Sequence, residues 1–240
     1  MLRNALSGAL LTVVLAAQAP AQTVDDLVAQ LAEARGGLQK LRSVQSLRML
    51  GHMMLGPNAE APVTIERKRP HSTRAELTLQ GRTSVQAYDG RQAWGILPGD
   101  EKAEALPPDM ARDIGNQADI DGPLVDYKEK GNALELVGKE KFDDADVWRI
   151  KVTLKSGDVL FVLLDVNSHL EVGNETKRTV RGSEVEIAAR ISGYKPVGGV
   201  LWPHTIESGP KGRTLRPSLV IDKIEVNPEI DDARFKLPLR

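Results

Sequence analysis

Apolar and polar residues alternate along most of this chain with the period of two that marks β-strands. Trp148, Ile150, Val152 and Leu154 interleave with Arg149, Lys151 and Thr153, giving one apolar face and one wet face. Turn signals separate such runs: Asp89-Gly90 in "RTSVQAYDGRQAWGIL", Ser156-Gly157 in "IKVTLKSGDVLFVLLD", Gly182 in "KRTVRGSEVEI" and Gly198-Gly199 in "YKPVGGVLWPHTI". These turns are too short for a crossover helix, so the pattern predicts antiparallel hairpins in one meander. Val159 to Leu164 is apolar on both faces, which predicts a central strand covered on both sides. About eleven strands fit between Leu47 and Val226, near the number at which an open sheet curls on itself.

Two segments break the alternation with helical spacing. In "TVDDLVAQLAEARGG", Thr23 suits an N-cap, Asp25 and Asp26 the first turn, and Val24, Leu27, Val28 and Leu31 form one apolar stripe. The pattern predicts an amphipathic helix of roughly 13 to 18 residues, ending near Gly36-Gly37 and packing on the sheet. In "LPPDMARDIGNQAD", Pro107 and Pro108 suit a helix start, and Met110 and Ile114 share a face. That short helix, inserted between strands, is placed to cover one mouth of a curled sheet. The fold class expected is mainly β (α+β), a strongly curved antiparallel sheet or incomplete β-barrel.

Composition narrows the classes. The 240 residues are 41% apolar and 27% charged, with a formal net charge of -1, so no overall field draws in nucleic acid. "MLRNALSGALLTVVLAAQAPAQ" has a basic Arg3, an apolar stretch from Ala5 to Ala17 too short to span a bilayer, and a small-x-small site at Ala19-Pro20-Ala21. It reads as a signal peptide (1–21) cut after Ala21, with an uncleaved anchor as the alternative; 22–240 is then a single exported domain, not an integral membrane protein. With no cysteine, disulfides, thiolate metal sites and a lipid-modified N-terminal cysteine are all excluded. Export style and missing cysteines together point to a bacterial periplasm.

Chemistry is harder to find. "DIDGPLVDYKEKG" opens like a calcium loop with Asp119 and Asp121, but Pro123 stands at position five and Lys130 at position twelve, where ligands are needed. Gly122-Pro123 instead signals a turn, in which an aspartate bonds its own backbone. His52, His71, His169 and His204 are scattered without zinc-type spacing, and His204 reads as a core or rim histidine. "DDAD", Asp143 to Asp146, reads as a solvated turn. No nucleophile elbow, P-loop or dinucleotide fingerprint is present, so no cofactor and no enzyme activity is expected. A hydrolase would require a histidine to meet a serine or carboxylate in the interior.

The ordered runs "ARGGLQKLRSVQSLRMLGHM", "QAYDGRQAW", "DGPLVDYKEKG", "YKPVGGVLWPHTIE" and "NPEIDDARFKLP" together resemble the outer-membrane lipoprotein-sorting (LolA-like) group of periplasmic proteins, from Thr23 to Pro238. The resemblance implies a curved, incomplete barrel whose apolar hollow holds lipid or lipoprotein acyl chains. It also implies a helical lid, here Pro108 to Asp121, and handover between an inner-membrane release complex and an outer-membrane acceptor. A barrel arginine would latch the lid, with Arg67, Arg69 and Arg91 as the choices. Cavity residues expected from inward apolar positions are Trp94, Ile96, Trp148, Ile150, Phe161 and Leu163, with Met110 and Ile114 from the lid. The alternative use of the same fold is a periplasmic sensor or adaptor acting through a protein interface.

Overall fold

The computed structural model describes residues 22–56, 59–100, 102–180, 183–213 and 216–238; the segment read as a signal peptide lies outside them. Helix α1 (Val24–Ala34) starts in a capping box, in which the Thr23 hydroxyl accepts from the Asp26 amide and the Asp26 carboxylate accepts from the Thr23 amide. Gly36 and Gly37 both take positive φ, 115° and 97°, and break the helix before a second one, α2 (Leu38–Ser43). The first helix stops at Gly36-Gly37 as its sequence predicts, and the "LQKL" run after it forms the second.

Six strands follow: β1 (Ser46–Gly56), β2 (Ala59–Lys68), β3 (Ser72–Leu79), β4 (Arg82–Tyr88), β5 (Ala93–Ile96) and β6 (Glu104–Ala105). Helices α3 (Pro108–Asn116) and α4 (Tyr127–Lys130) come next. Then come β7 (Ala133–Phe142), β8 (Ala145–Thr153), β9 (Val159–Asp165), β10 (Glu171–Val180) and β11 (Ser183–Ser192). The chain finishes with β12 (Lys195–Val197), β13 (Val200–Trp202), β14 (Thr205–Pro210), β15 (Ser218–Val226) and a 3-10 turn at Asp232–Phe235.

Thirteen strands form one antiparallel sheet in the order β6-β5-β4-β3-β2-β1-β15-β14-β11-β10-β9-β8-β7, while β12 and β13 pair as a separate ribbon. Strands as short as β6, β12 and β13 leave too little alternation to read, so the described strands exceed the expected eleven. The single meander is corrected as well. The chain enters at the sheet centre with β1, runs out to the edge at β6, and resumes at the opposite edge with β7. It then returns to the centre, where β15 pairs with β1. The turns at Asp89-Gly90, Ser156-Gly157 and Gly198-Gly199 join antiparallel partners as read. β10 and β11 pair likewise, although Gly182 between them lies outside the described residues.

Register decides which face each residue takes. Leu27 and Leu31 of α1 pack on Ile150, Val152, Val162 and Leu164, defining the concave face of β8 and β9. Each buried leucine contributes about 2 kcal/mol of docking energy. Leu41 of α2 and Val200 and Trp202 of the ribbon pack on Leu47, Met49 and Ile224, the concave face at the sheet centre. On the convex side of β4 and β5, Val85, Ala87 and Trp94 lie under the chain's C-terminal segment, and the Trp94 indole donates to the Phe235 carbonyl at 2.8 Å. On the convex side of β9, the Arg149 guanidinium lies 4.0 Å over the Phe161 ring.

Gly36 joins the helices to the ribbon. The Leu201 amide donates to the Arg35 carbonyl at 2.8 Å, and a Cβ on Gly36 would overlap the Gly199 carbonyl oxygen. Gly36→Ala is expected to destabilise by about 2 kcal/mol or more in urea unfolding, since positive φ and a backbone clash add. Gly81→Ala, also at positive φ (76°) but in open space, should cost only about 1 kcal/mol.

Candidate functional site

Because β6 and β7 are opposite edges of the sheet, the segment between them must travel from one edge to the other. Proline at N1 starts α3, and the helix ends at Gln117. Its Gly115 rests against the Tyr88 ring of β4. From the same helix, Arg112 and Asn116 both reach the Asp158 carboxylate, at 3.2 and 2.9 Å, in the turn between β8 and β9. The helix thus ties one wing of the sheet to the other. Beyond it, Ala118, Ile120, Leu124 and Val125 insert into the core.

A cavity of about 830 Å³ lies beside this bridge. His71, Tyr88, Gln92 and Ala93 line it from one wing; Leu154, Lys155 and Ser156 line it from the other. Arg69, Arg91, Arg112 and Lys130 give its wall a basic character against one acidic group, Asp119. His71 and Ser156 stand on opposite wings. The Ser156 hydroxyl donates to Asp158 at 2.8 Å, while His71 packs edge-on against Tyr88, so the pair is not joined by a hydrogen bond.

The aspartate stretch "DIDGPLVDYKEKG" folds as the turn its sequence predicts. The Asp121 amide donates to the Asp119 carboxylate at 3.1 Å, and Lys130 closes on the same carboxylate at 2.7 Å. Asp126 receives the Arg42 fork at 3.0 and 2.6 Å, and this hydrogen bonding holds its carboxyl below the usual range. Asp121 is nearly fully buried and takes two hydrogen bonds from Arg69, at 2.8 and 2.7 Å. Arg69 also donates to the carbonyls of Val44 and Leu41, and Arg35 donates to the Asp121 carbonyl at 2.8 Å. Of the three arginines considered as a latch, Arg69 grips the crossing segment; Arg91 lines the cavity wall, and Arg67 points inward from β2. Among the described residues no group of three or more His, Asp or Glu is arranged to hold a metal.

The concave face retains open apolar surface. Cross-strand register aligns Met53 with Leu219 and Leu219 with Ile206, all partly exposed. Ile65, Leu77 and Leu160 on the same face also retain accessible surface. Four polar side chains share this interior. Arg67 aligns with Leu47 and Thr73, and Glu171 aligns with Leu164. Arg35 lies over Trp202 at 5.1 Å, and the Tyr194 hydroxyl donates to the Glu171 carbonyl at 2.8 Å. Burial pushes the Glu171 carboxyl and the Tyr194 phenol up, and pushes the Arg35 and Arg67 guanidinium groups down. His204 is a buried core histidine whose Nδ1 lies 3.0 Å from the Trp202 carbonyl.

The eight residues expected to form the cavity divide three ways. Trp148 and Ile150 lie on the concave face, where Ile150 packs beneath α1. Met110 and Ile114 belong to α3, with Ile114 buried. The other four are corrected. Trp94 and Ile96 align with Ala87 and Val85 on the convex side, under the C-terminal segment. Phe161 and Leu163 align with Lys151 and Arg149, also on the convex side. None of the eight lines the 830 Å³ cavity. Its walls are mostly turn and helix residues, for which alternation carries no signal, with Tyr88 and Ala93 from the ends of β4 and β5.

No protein-family model matches the chain, and no curated protein matches it in sequence. Solved structures do match. A LolA superfamily protein from Nitrosomonas europaea superposes with a TM-score of 0.59 at 15% identity, covering 90% of this chain and 98% of that one. A DUF1329 family protein from Desulfovibrio piger gives 0.60 at 12% identity, covering 89% and 97%. A domain described as an outer membrane lipoprotein-sorting protein from Vibrio parahaemolyticus gives 0.58 at 12%, again covering 89% and 97%. These neighbours share the curved open sheet at nearly full length, and the chain has the LolA-like fold.

Proposed function

We propose that this chain is a periplasmic carrier that takes up lipid or lipoprotein acyl chains against its concave face and shuttles them toward the outer membrane. The supporting observation is the partly exposed apolar surface on the concave side, at Met53, Ile65, Leu160, Ile206 and Leu219, inside a sheet whose helices are fastened across it. Each methylene removed from water contributes about 0.8 kcal/mol. A sixteen-carbon chain contributes on the order of 10 kcal/mol before ordering costs are subtracted. No directional chemistry is required for that. The neighbours with LolA-like folds are consistent with this reading, as is the N-terminal stretch read as a signal peptide. Exposed large apolar residues of the rival adaptor reading, Leu38, Leu55, Leu79, Val137 and Val159, fall on five different elements rather than in one run.

In this reading the crossing segment around α3 is the movable cover, and Arg69 with Asp121 is its latch. The acyl chain displaces the cover, as the notch between the two wings opens, and partners at the two membranes load and unload it. Native mass spectrometry after mild extraction is expected to find bound lipid, and a fluorescent fatty-acid probe to bind saturably. Absence of both signals removes the carrier reading. Asp121→Asn, which removes the charge from a buried ion pair, is expected to cost about 3 kcal/mol in urea unfolding. Stopped-flow fluorescence should show faster probe uptake by that variant than by the parent; an unchanged uptake rate would remove the latch.

A further inference from the structure

Arg67 lies deep in the fold on the concave face of β2, and its Nε is buried without a hydrogen-bond partner. Among the described residues no carboxylate lies within ion-pair distance of it. The acidic group that acts on it most is Asp119, already engaged by Lys130 and by the Asp121 amide. Asp121 is likewise taken by Arg69. The other cation of the interior, Arg35, repels Arg67 rather than compensating it, and its own Nε is also buried and unbonded. A buried cation ordinarily has a carboxylate and a full set of acceptors around it, because desolvation without them is costly. Glu66, the residue just before it, is served in that way on the convex side, with Arg48 at 2.9 Å and Arg234 at 2.6 Å. Arg67 and Arg35 each keep some accessible surface, and among the described residues neither is paired with an anion.

We propose that Arg67, with Arg35 beside it, is the seat of an anionic head group, a carboxylate or a phosphate, carried by the acyl-chain ligand. This rests on the acyl-chain reading above and narrows it to acidic amphiphiles. The surroundings fit such a molecule. The concave row Arg67–Thr73–Tyr88–Ala93 runs from the guanidinium to the wall of the 830 Å³ cavity, two to three strands away. In the other direction along β2, Ile65 and Val63 supply an apolar track for the hydrocarbon. An arginine fork matches both head groups, since each offers two oxygens in a plane to parallel N–H donors.

The test is displacement of a fluorescent fatty-acid probe from the mature chain by palmitate, by methyl palmitate and by palmitoyl lysophosphatidate. At least one of the two acids is expected to bind tenfold or more tightly than the uncharged ester, and the tighter of them assigns the head group. Arg67→Gln and Arg67→Met are expected to abolish that preference while the ester binds as before. The ligand-free Arg67→Met protein should melt at the same temperature as the parent or higher, because an uncompensated charge has been removed. Equal binding of acid and ester by the parent chain overturns the proposal without any variant being needed. So does a preference that survives in both variants, or a lowered melting temperature accompanied by intact preference. If none of the three amphiphiles displaces the probe and the probe itself does not bind, the acyl-chain reading falls, and this proposal with it.

Discussion

Thirteen antiparallel strands cannot stay flat. Adjacent strands ordinarily twist against one another by roughly 20°, and a sheet this wide curves rather than lying flat. The curvature brings the β4 wing and the turn after β8 close enough for one nine-residue helix to touch both, through Gly115 on one side and Arg112 and Asn116 on the other. It also produces a concave side too broad for its own side chains. Helix α1 fills the part over β8 and β9, and α2 with the β12–β13 ribbon fills the part over β1 and β15. What those elements do not reach stays partly open.

The charges are distributed in a way that follows from this geometry. On the convex side, acid and base meet in compact sets: Glu66 between Arg48 and Arg234, and Glu175 between Arg149 and Lys211. In the crossing segment, each aspartate is matched to its own cation, Asp119 to Lys130, Asp121 to Arg69 and Asp126 to Arg42. Those pairings spread three acids close in sequence over three separate cations. The concave interior is the exception, with two guanidinium groups and one carboxyl, Glu171, whose proton affinity is raised by burial.

Much of the architecture was legible in the residues themselves. Period-two alternation marked β8 and its concave face correctly, and the Asp-Gly and Ser-Gly turns marked hairpins. What alternation cannot supply is the side of the sheet on which the layer lies. In β5 the large apolar residues Trp94 and Ile96 are covered by a C-terminal segment more than 130 residues downstream, so they face away from the cavity. In β9 both faces are apolar, and nothing local to Phe161 and Leu163 says which one is concave. The cavity itself is built mostly from turns and one helix, with the ends of β4 and β5, brought together by the crossing, and a long-range topology of that kind leaves little periodic trace. Arg69 was within reach of sequence reasoning as one of three arginines; only the fold separates it from Arg67 two residues earlier.

The central pairing of β1 with β15 has a kinetic meaning. Leu47 meets Val226 and Met49 meets Ile224, so the seam of the sheet joins residues separated by most of the chain. The two flanking meanders consist of near-neighbour hairpins and can form early, whereas the seam demands closure of a very long loop, the kind of high contact order that slows folding. A polypeptide emerging in order from its N-terminus cannot complete the sheet until its final strand arrives. The β1–β6 half can therefore be in place well before the seam that joins it to the other half is able to close.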